Sequence, residues 1–455
     1  MTAHVFVLGL DAQNLEVLRS VPEYLDVEFH PLLTRHELQH TDATVPELVD
    51  RAARVLDAFP HPISAIVGYW DYPVSTMLPI LGARYGVRTA DLAAVVKSEH
   101  KYWSRLLQRS AIDEVPGFGT VDLHDPAATL PAHMAYPAWV KPIKSASSEG
   151  AYFIRNDGEL RAALAKERSA TRRMHWGFHD VLDMVELPSE IADLGPGTCL
   201  VEEALTGRQA TVEGFSVEGR TEIFGVVDSI RYPHVPSFLR YEYPSSLPAE
   251  VQERMAELSR RVVAAVGLDH GAFNIEFFWD ERTKRLAVLE INARHSQSHA
   301  RLFHLVDGRS NHGVMLDLAL GRTPFMPHRE GEFPVAALWM LRSFSDGRPR
   351  RLPTPLEVAA LEAEIPGTTI EIAAREGRWL SENHRGDSYS YLLANIVVAG
   401  QTPGEVEANF VAVRDGLIFD IEQPTRTIEA PIATPKVLVT PSDGLRPPLE
   451  ELSAS

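Results

Sequence analysis

Apolar residues open the chain as a short continuous run: positions 4–10 read as a strand closing at Gly9, and 14–20 then place Leu15 and Leu18 at helical spacing. Further apolar runs at 27–30 and 63–68 alternate with a helical segment at 45–59. That rhythm predicts a small parallel α/β layer through about residue 100. No complete GxGxxG follows the first run, so Gly9 reads as a simple strand-ending turn.

From residue 97 the texture changes. The pattern predicts a helix over 97–110, a strand over 136–142 stopping at Pro142, a small polar loop at 145–150, and a returning strand at 151–154. Runs at 198–204, 209–217, 220–229, 272–279 and 285–292, interrupted by a helix over 248–266, predict an antiparallel sheet with one packed helix. Strands at 335–341, 368–374 and 391–398 with a helix at 403–417 read as a smaller α+β unit. After Pro424 the chain is rich in Pro, Thr and Ser without apolar period, the pattern of a flexible tail.

Composition narrows the function classes. A chain of 455 residues implies two to four packed units, and 45% hydrophobic with 23% charged residues is ordinary globular material. The 44 basic and 62 acidic residues leave a formal charge of -18, which offers no general grip on a phosphate backbone and argues against nucleic acid as a partner. Cys199 is the single cysteine, so an intramolecular disulfide and a cysteine-built zinc cage are both excluded. Positions 1–9 lack the features of a signal peptide and no run of 18 apolar residues occurs. The expectation is a cytoplasmic protein without a membrane partner.

The sharpest chemical pattern lies at 274–294. A period of two places Glu290, Asn292 and Arg294 on one face of a strand, and a hairpin through the polar turn 280–284 can bring Glu276 beside them. Phe277, Leu289 and Ile291 alternate against this polar set. Two carboxylates and an amide oxygen suit the hard cation Mg2+, with Mn2+ as a substitute, whereas zinc would call for His or Cys. The bland alternative, solvated glutamates on an edge hairpin, is weakened by the apolar alternation that specifies the face.

These two strands resemble the magnesium-binding signature of the ATP-grasp superfamily, carboxylate-amine ligase type, in which Glu and Glu-x-Asn hold the metal and a following Arg meets the transferred group. The resemblance implies metal ligands Glu276, Glu290 and Asn292 and catalytic roles for Arg294 and Lys141. It also implies that ATP is held by Lys101 and Lys141 as phosphate lysines, by Lys144, Ser145 and Ser148 of a phosphate-covering loop, and by Glu202, Glu203 and Leu205 of an adenine-ribose hinge. Small residues and hydroxyls in that loop would let backbone N–H groups approach phosphate closely. The fold implied is an α/β front domain plus α+β ATP-grasp domains, with nucleotide held between two α+β subdomains and a small α+β C-terminal unit. Its expected boundaries are a Rossmann-like front at 1–105, subdomains at 106–200 and 201–325, a closing unit at 326–424 and a tail at 425–455.

The member of the superfamily is narrowed by two departures. Biotin carboxylase-like chains carry a Gly-rich phosphate loop and a glutamate four residues after the signature arginine, but here the loop is serine-rich and Ser298 stands at that position, which disfavours bicarbonate as the substrate. His295, Ser298, His299 and Arg301 form a polar cluster expected to face substrate, or else a polar connection without a ligand. Arg231 could clamp a substrate carboxylate or be a plain exposed arginine. The expected activity is amide or peptide bond formation from a small carboxylate and an amine through an acyl phosphate, releasing ADP and phosphate. A carboxyphosphate-forming carboxylase is the alternative, a nucleotide-binding regulatory module is a second rival, and a homodimer is the assembly the resemblance suggests.

Overall fold

Strands Val27–Leu32, Ala3–Leu8 and Ala65–Val67 lie side by side in that order, all parallel, as the alternation of short apolar runs and helices predicts. The computed structural model describes residues 2–39, 41, 43–144, 150–170, 174–383, 386–387 and 389–423; Ser145, Ser148 and the tail at 425–455 lie outside them. Val5, Val7 and Leu8 of the central strand are fully buried against helix Val45–Asp57, whose Thr44 and Glu47 form a reciprocal capping box. Gly9 ends the first strand at a φ of 69°, where a Cβ would meet Trp70 at 2.8 Å.

The single helix predicted over 97–110 is two helices, Leu92–Glu99 and Lys101–Ala111. His100 breaks them: its backbone is extended and its Nδ1 accepts from the Trp103 N–H at 3.1 Å, capping the second helix. Neither Pro nor Gly marks the break, so apolar spacing could not reveal it. The break puts Lys101 at the first position of the new helix, and its N–H donates to the Ile143 carbonyl at 3.1 Å, just beyond the strand that carries Lys141.

A four-stranded antiparallel sheet follows in the order Phe118–Asp122, Thr198–Glu203, Ala138–Pro142, Tyr152–Ile154. Next comes the run Arg285–Asn292, Gly271–Asp280, Arg208–Val217, Arg220–Arg231. One face of that run buries Ile275, Phe277, Val288 and Ile291 against Met255, Leu258 and Val262 of helix Ala249–Val266. Helix Asn311–Leu320 was not foreseen, because eight of its residues are buried all round and no amphipathic stripe betrays it.

These elements form one compact unit, Met1–Ile230 with Tyr241–Ala336. A second unit comprises Arg231–Arg240 and Ala337–Ser455. Within it, strands Val335–Ser343, Ser390–Gly400 and Thr369–Ile372 are neighbours in that order, and Phe410 of helix Pro403–Gly416 stacks on Trp339 with ring centroids 4.4 Å apart. Among the described residues no helix is long and apolar enough to cross a membrane.

Candidate active site

The hairpin register decides which side chains meet. Glu276 stands opposite Glu290 and Asn274 opposite Asn292, while on the other flank Glu276 faces Thr211 and Asn274 faces Glu213. With a period of two, Gln209, Thr211, Glu213, Asn274, Glu276, Glu290 and Asn292 share one face across three strands. Directly opposed residues carry Cβ atoms about 5 Å apart, so the two carboxylates are within reach of one cation. Gln209 Nε2 donates to Glu276 Oε2 at 2.6 Å. Asn292 Nδ2 donates to Asn274 Oδ1 at 2.9 Å, which commits the donor end of that amide and leaves its carbonyl oxygen as the atom to offer a metal.

The alternation expected at Leu289 does not hold. Register steps from Glu276–Glu290 to Phe277–Val288, so Leu289 is an extra, bulged residue and Val288 takes the core position with no exposure. The carbonyls of Val288 and Leu289 instead accept from the Arg105 guanidinium, the first at 3.1 Å. A bulge at this point turns Glu290 and Asn292 to the polar face while keeping the apolar residues below it inside.

The three lysines and Arg294 each meet a carboxylate. Lys101 Nζ lies 3.2 Å from Glu290 Oε2, Lys144 Nζ 2.8 Å from Glu99 Oε2, and Arg294 Nε 2.7 Å from Asp71 Oδ1. Buried Glu202 receives both Arg105 and Lys141. Burial alone would raise the Glu202 pKa, but Arg105 and then Lys141 outweigh it and hold the carboxyl at about 2. Burial likewise pushes Glu290 up, and Lys101 and Lys141 together bring it below the ordinary carboxylate range. Lys141 is lowered, by burial first and then by the neighbouring Lys101, against the pull of Glu202. Lys101, Lys141, Lys144, Arg105 and Arg294 thus balance Asp71, Glu99, Glu202, Glu276 and Glu290, so the site has no formal surplus of positive charge. A polyphosphate entering it needs divalent cations as companions.

The other expected positions divide. Glu203 points away from Glu202 and pairs with Arg285 at 2.8 Å and with the Gly117 N–H at 3.1 Å. Leu205 is half-buried in the turn after the strand. His295 and His299 turn inward at 1% and 2% exposure, which removes them from a surface facing substrate. His295 Nε2 lies 2.8 Å from His312 Nδ1, whose ring reaches Asn14 Oδ1 at 3.0 Å, and His299 Nδ1 lies 2.7 Å from Glu213 Oε1. For His299 the reason is that Glu213, with no exposure, needs partners for its charge. Ser298 and Arg301 remain half-exposed, Arg301 on Glu16 at 3.1 Å. Arg231 belongs to the second unit, its guanidinium 5.5 Å from the centroid of the Phe238 ring. Sequence reasoning missed Asp71, Glu99, Arg105, Gln209 and Asn274; of these Asn274, two positions before Glu276, and Gln209, opening the alternating run 209–213, carry a periodic signal.

An opposed pair of strand glutamates lies beside clustered lysines, on an antiparallel sheet joined to a parallel front layer, and the part of the chain that carries them resembles an ATP-grasp domain. The family model for the ATP-grasp domain matches residues 134–300. Among curated proteins the chain is similar to carnosine synthase 1 of Gallus gallus, 28% identical over 63% of this chain and 29% of that protein. It is also similar to a D-alanine–D-alanine ligase of Chlorobaculum parvum, 27% identical over 44% and 52%. The matched regions therefore span about half or less of these relatives. An L-amino acid ligase of Bacillus licheniformis has the same fold, with a TM-score of 0.69 at 13% identity over 93% of this chain and 99% of that one.

Proposed function

We propose that the protein is an ATP-dependent carboxylate-amine ligase that forms an amide or peptide bond through an acyl phosphate and releases ADP and phosphate. The observation that carries this reading is the opposition of Glu276 to Glu290 with Asn292 on the same face, next to Lys101 and Lys141. The donor set fits Mg2+: two carboxylates and an amide oxygen are hard ligands, and beside Glu276 the buried Gln209 Oε1 has no partner among the described residues. Bound there by Glu276, Glu290 and Asn292, Mg2+ would neutralise charge on the transferred phosphoryl group.

Lys101, Lys141 and Lys144 orient the phosphates in this reading, as point charges that need no planar fork. The substrate carboxylate attacks the γ-phosphorus and ADP leaves; the amine then attacks the acyl carbon, loses its proton and expels phosphate. Arg294, fixed by Asp71, stabilises the oxyanion, help commonly worth about 3 kcal/mol. The names of two curated relatives, a carnosine synthase and a D-alanine–D-alanine ligase, support an amine acceptor, and Ser298 at the position of the carboxylases' glutamate speaks against bicarbonate. An ADP-release screen over amino acids and small carboxylates, run beside Glu290→Ala, tests the proposal. Release that requires an acid and an amine together is expected; release driven by bicarbonate without an amine would favour the carboxylase reading and sink this one.

A further inference from the structure

Away from the polar face just described, the outer end of the parallel front sheet carries a second convergence of ligand atoms. The register sets His4 opposite Glu28 and Phe6 opposite His30, so a period of two puts all four side chains on one face. His4 Nδ1 lies 3.1 Å from His30 Nε2 and 3.4 Å from Glu28 Oε2, and the third side, His30 Nε2 to Glu28 Oε2, is 3.9 Å. Three atoms with those separations lie on a circle of radius about 2.0 Å, which is the length of a Zn–N or Zn–O bond. A tetrahedral ion with such bonds spaces its ligand atoms about 3.3 Å apart, within the range observed.

A hydrogen bond between two imidazoles would account for the His4–His30 approach alone. It does not account for one carboxylate oxygen closing a triangle with both nitrogens. The rings are also held in place: Phe59 packs edge-on against His4 with centroids 5.1 Å apart, Phe6 stacks on His30 at 4.9 Å, and His61 stacks on His4 at 5.2 Å and packs edge-on against Phe59 at 5.5 Å. Ligands with orientations fixed by packing lose little freedom on binding. The Glu28 side chain is 59% exposed, so an ion can enter from solvent.

We infer that His4, Glu28 and His30 form a binding site for a divalent transition-metal ion of the zinc class, with water or His61 completing its coordination. Two imidazoles and one carboxylate favour zinc over the magnesium that an all-oxygen set would select. The site shares no residue with the proposed Mg2+ ligands and ties the first two strands to the segment carrying Phe59 and His61.

The test uses the full chain without a histidine tag, stripped with chelator and titrated with Co2+ and then Zn2+. One equivalent of Co2+ should give the intense visible absorption of a four-coordinate ion, displaced by one equivalent of Zn2+ and untouched by excess Mg2+. Glu28→Gln, at an exposed position that leaves the fold intact, should weaken Co2+ binding at least about tenfold, and His30→Gln should do the same. Equal binding by the wild type and Glu28→Gln, or only a weak six-coordinate spectrum, would overturn the assignment.

Discussion

Replacing Glu202 by glutamine keeps the side-chain shape and removes the one negative charge that Arg105 and Lys141 share. The three side chains are only 4%, 3% and 11% exposed, so solvent cannot take over the lost partner. The fall of the Glu202 pKa from an ordinary 4.5 to about 2 corresponds to about 3 kcal/mol of folding free energy. Breaking a buried pair by removing one member costs roughly 3–5 kcal/mol, which agrees. Equilibrium urea unfolding followed by tryptophan fluorescence should therefore show Glu202→Gln destabilised by about 3 kcal/mol or more at pH 7. Because the folded pKa is depressed, this stabilisation is complete above about pH 4.5 and disappears as pH falls toward 2, so the stability difference between the two proteins should narrow across that window. A change below about 1 kcal/mol for Glu202→Gln would refute the reasoning, since it would mean the carboxylate is screened by water.

Other outcomes follow from single contacts. Arg294→Met should lower kcat about 100-fold or more in the ADP-release assay, and Asp71→Asn, which leaves the guanidinium unheld, should lower kcat by a smaller factor with little change in KM. His312 is held near pKa 3, chiefly by burial, so it stays neutral in the fold while an unfolded chain binds its proton below about pH 6.5. Stability must then fall as pH drops from about 6.5 toward 3, and thermal melts at pH 7.5 and 5 should show this acid sensitivity reduced in His312→Gln. Gly207 sits at a φ of 102°, where a Cβ would come within 2.3 Å of the Trp279 carbonyl oxygen. Gly207→Ala should accordingly lose at least about 1 kcal/mol in the same urea assay, a value near zero showing that the turn can yield.

Much of this arrangement could be read from the chain because its signals are local. The polar set at 274–294 has a period of two on both sides of a short turn, and that alone brings Glu276 to Glu290. Lys101 and Lys141 were different: nothing in their neighbourhoods distinguishes them from solvated lysines, and only the family resemblance singled them out. Asp71, Glu99 and Arg105 come from elements far away in sequence, and what makes them matter is a charge they meet in three dimensions. The Leu289 bulge was hidden for a similar reason, since the carbonyls it exposes are satisfied by Arg105 from a separate helix. His295 and His299 show the opposite error. Two histidines in a polar stretch suggest a surface, whereas both are buried, His299 against the carboxylate of Glu213 and His295 against the ring of His312.

Mn2+ bound with ATP is visible by electron paramagnetic resonance, and its affinity can be compared between the wild type, Glu276→Gln and Glu290→Gln under identical nucleotide concentrations. If these two opposed carboxylates with Asn292 hold the dication, each substitution should weaken Mn2+ binding at least about tenfold and abolish ADP release while leaving the fold intact. Wild-type Mn2+ affinity and turnover in Glu290→Gln would contradict the site.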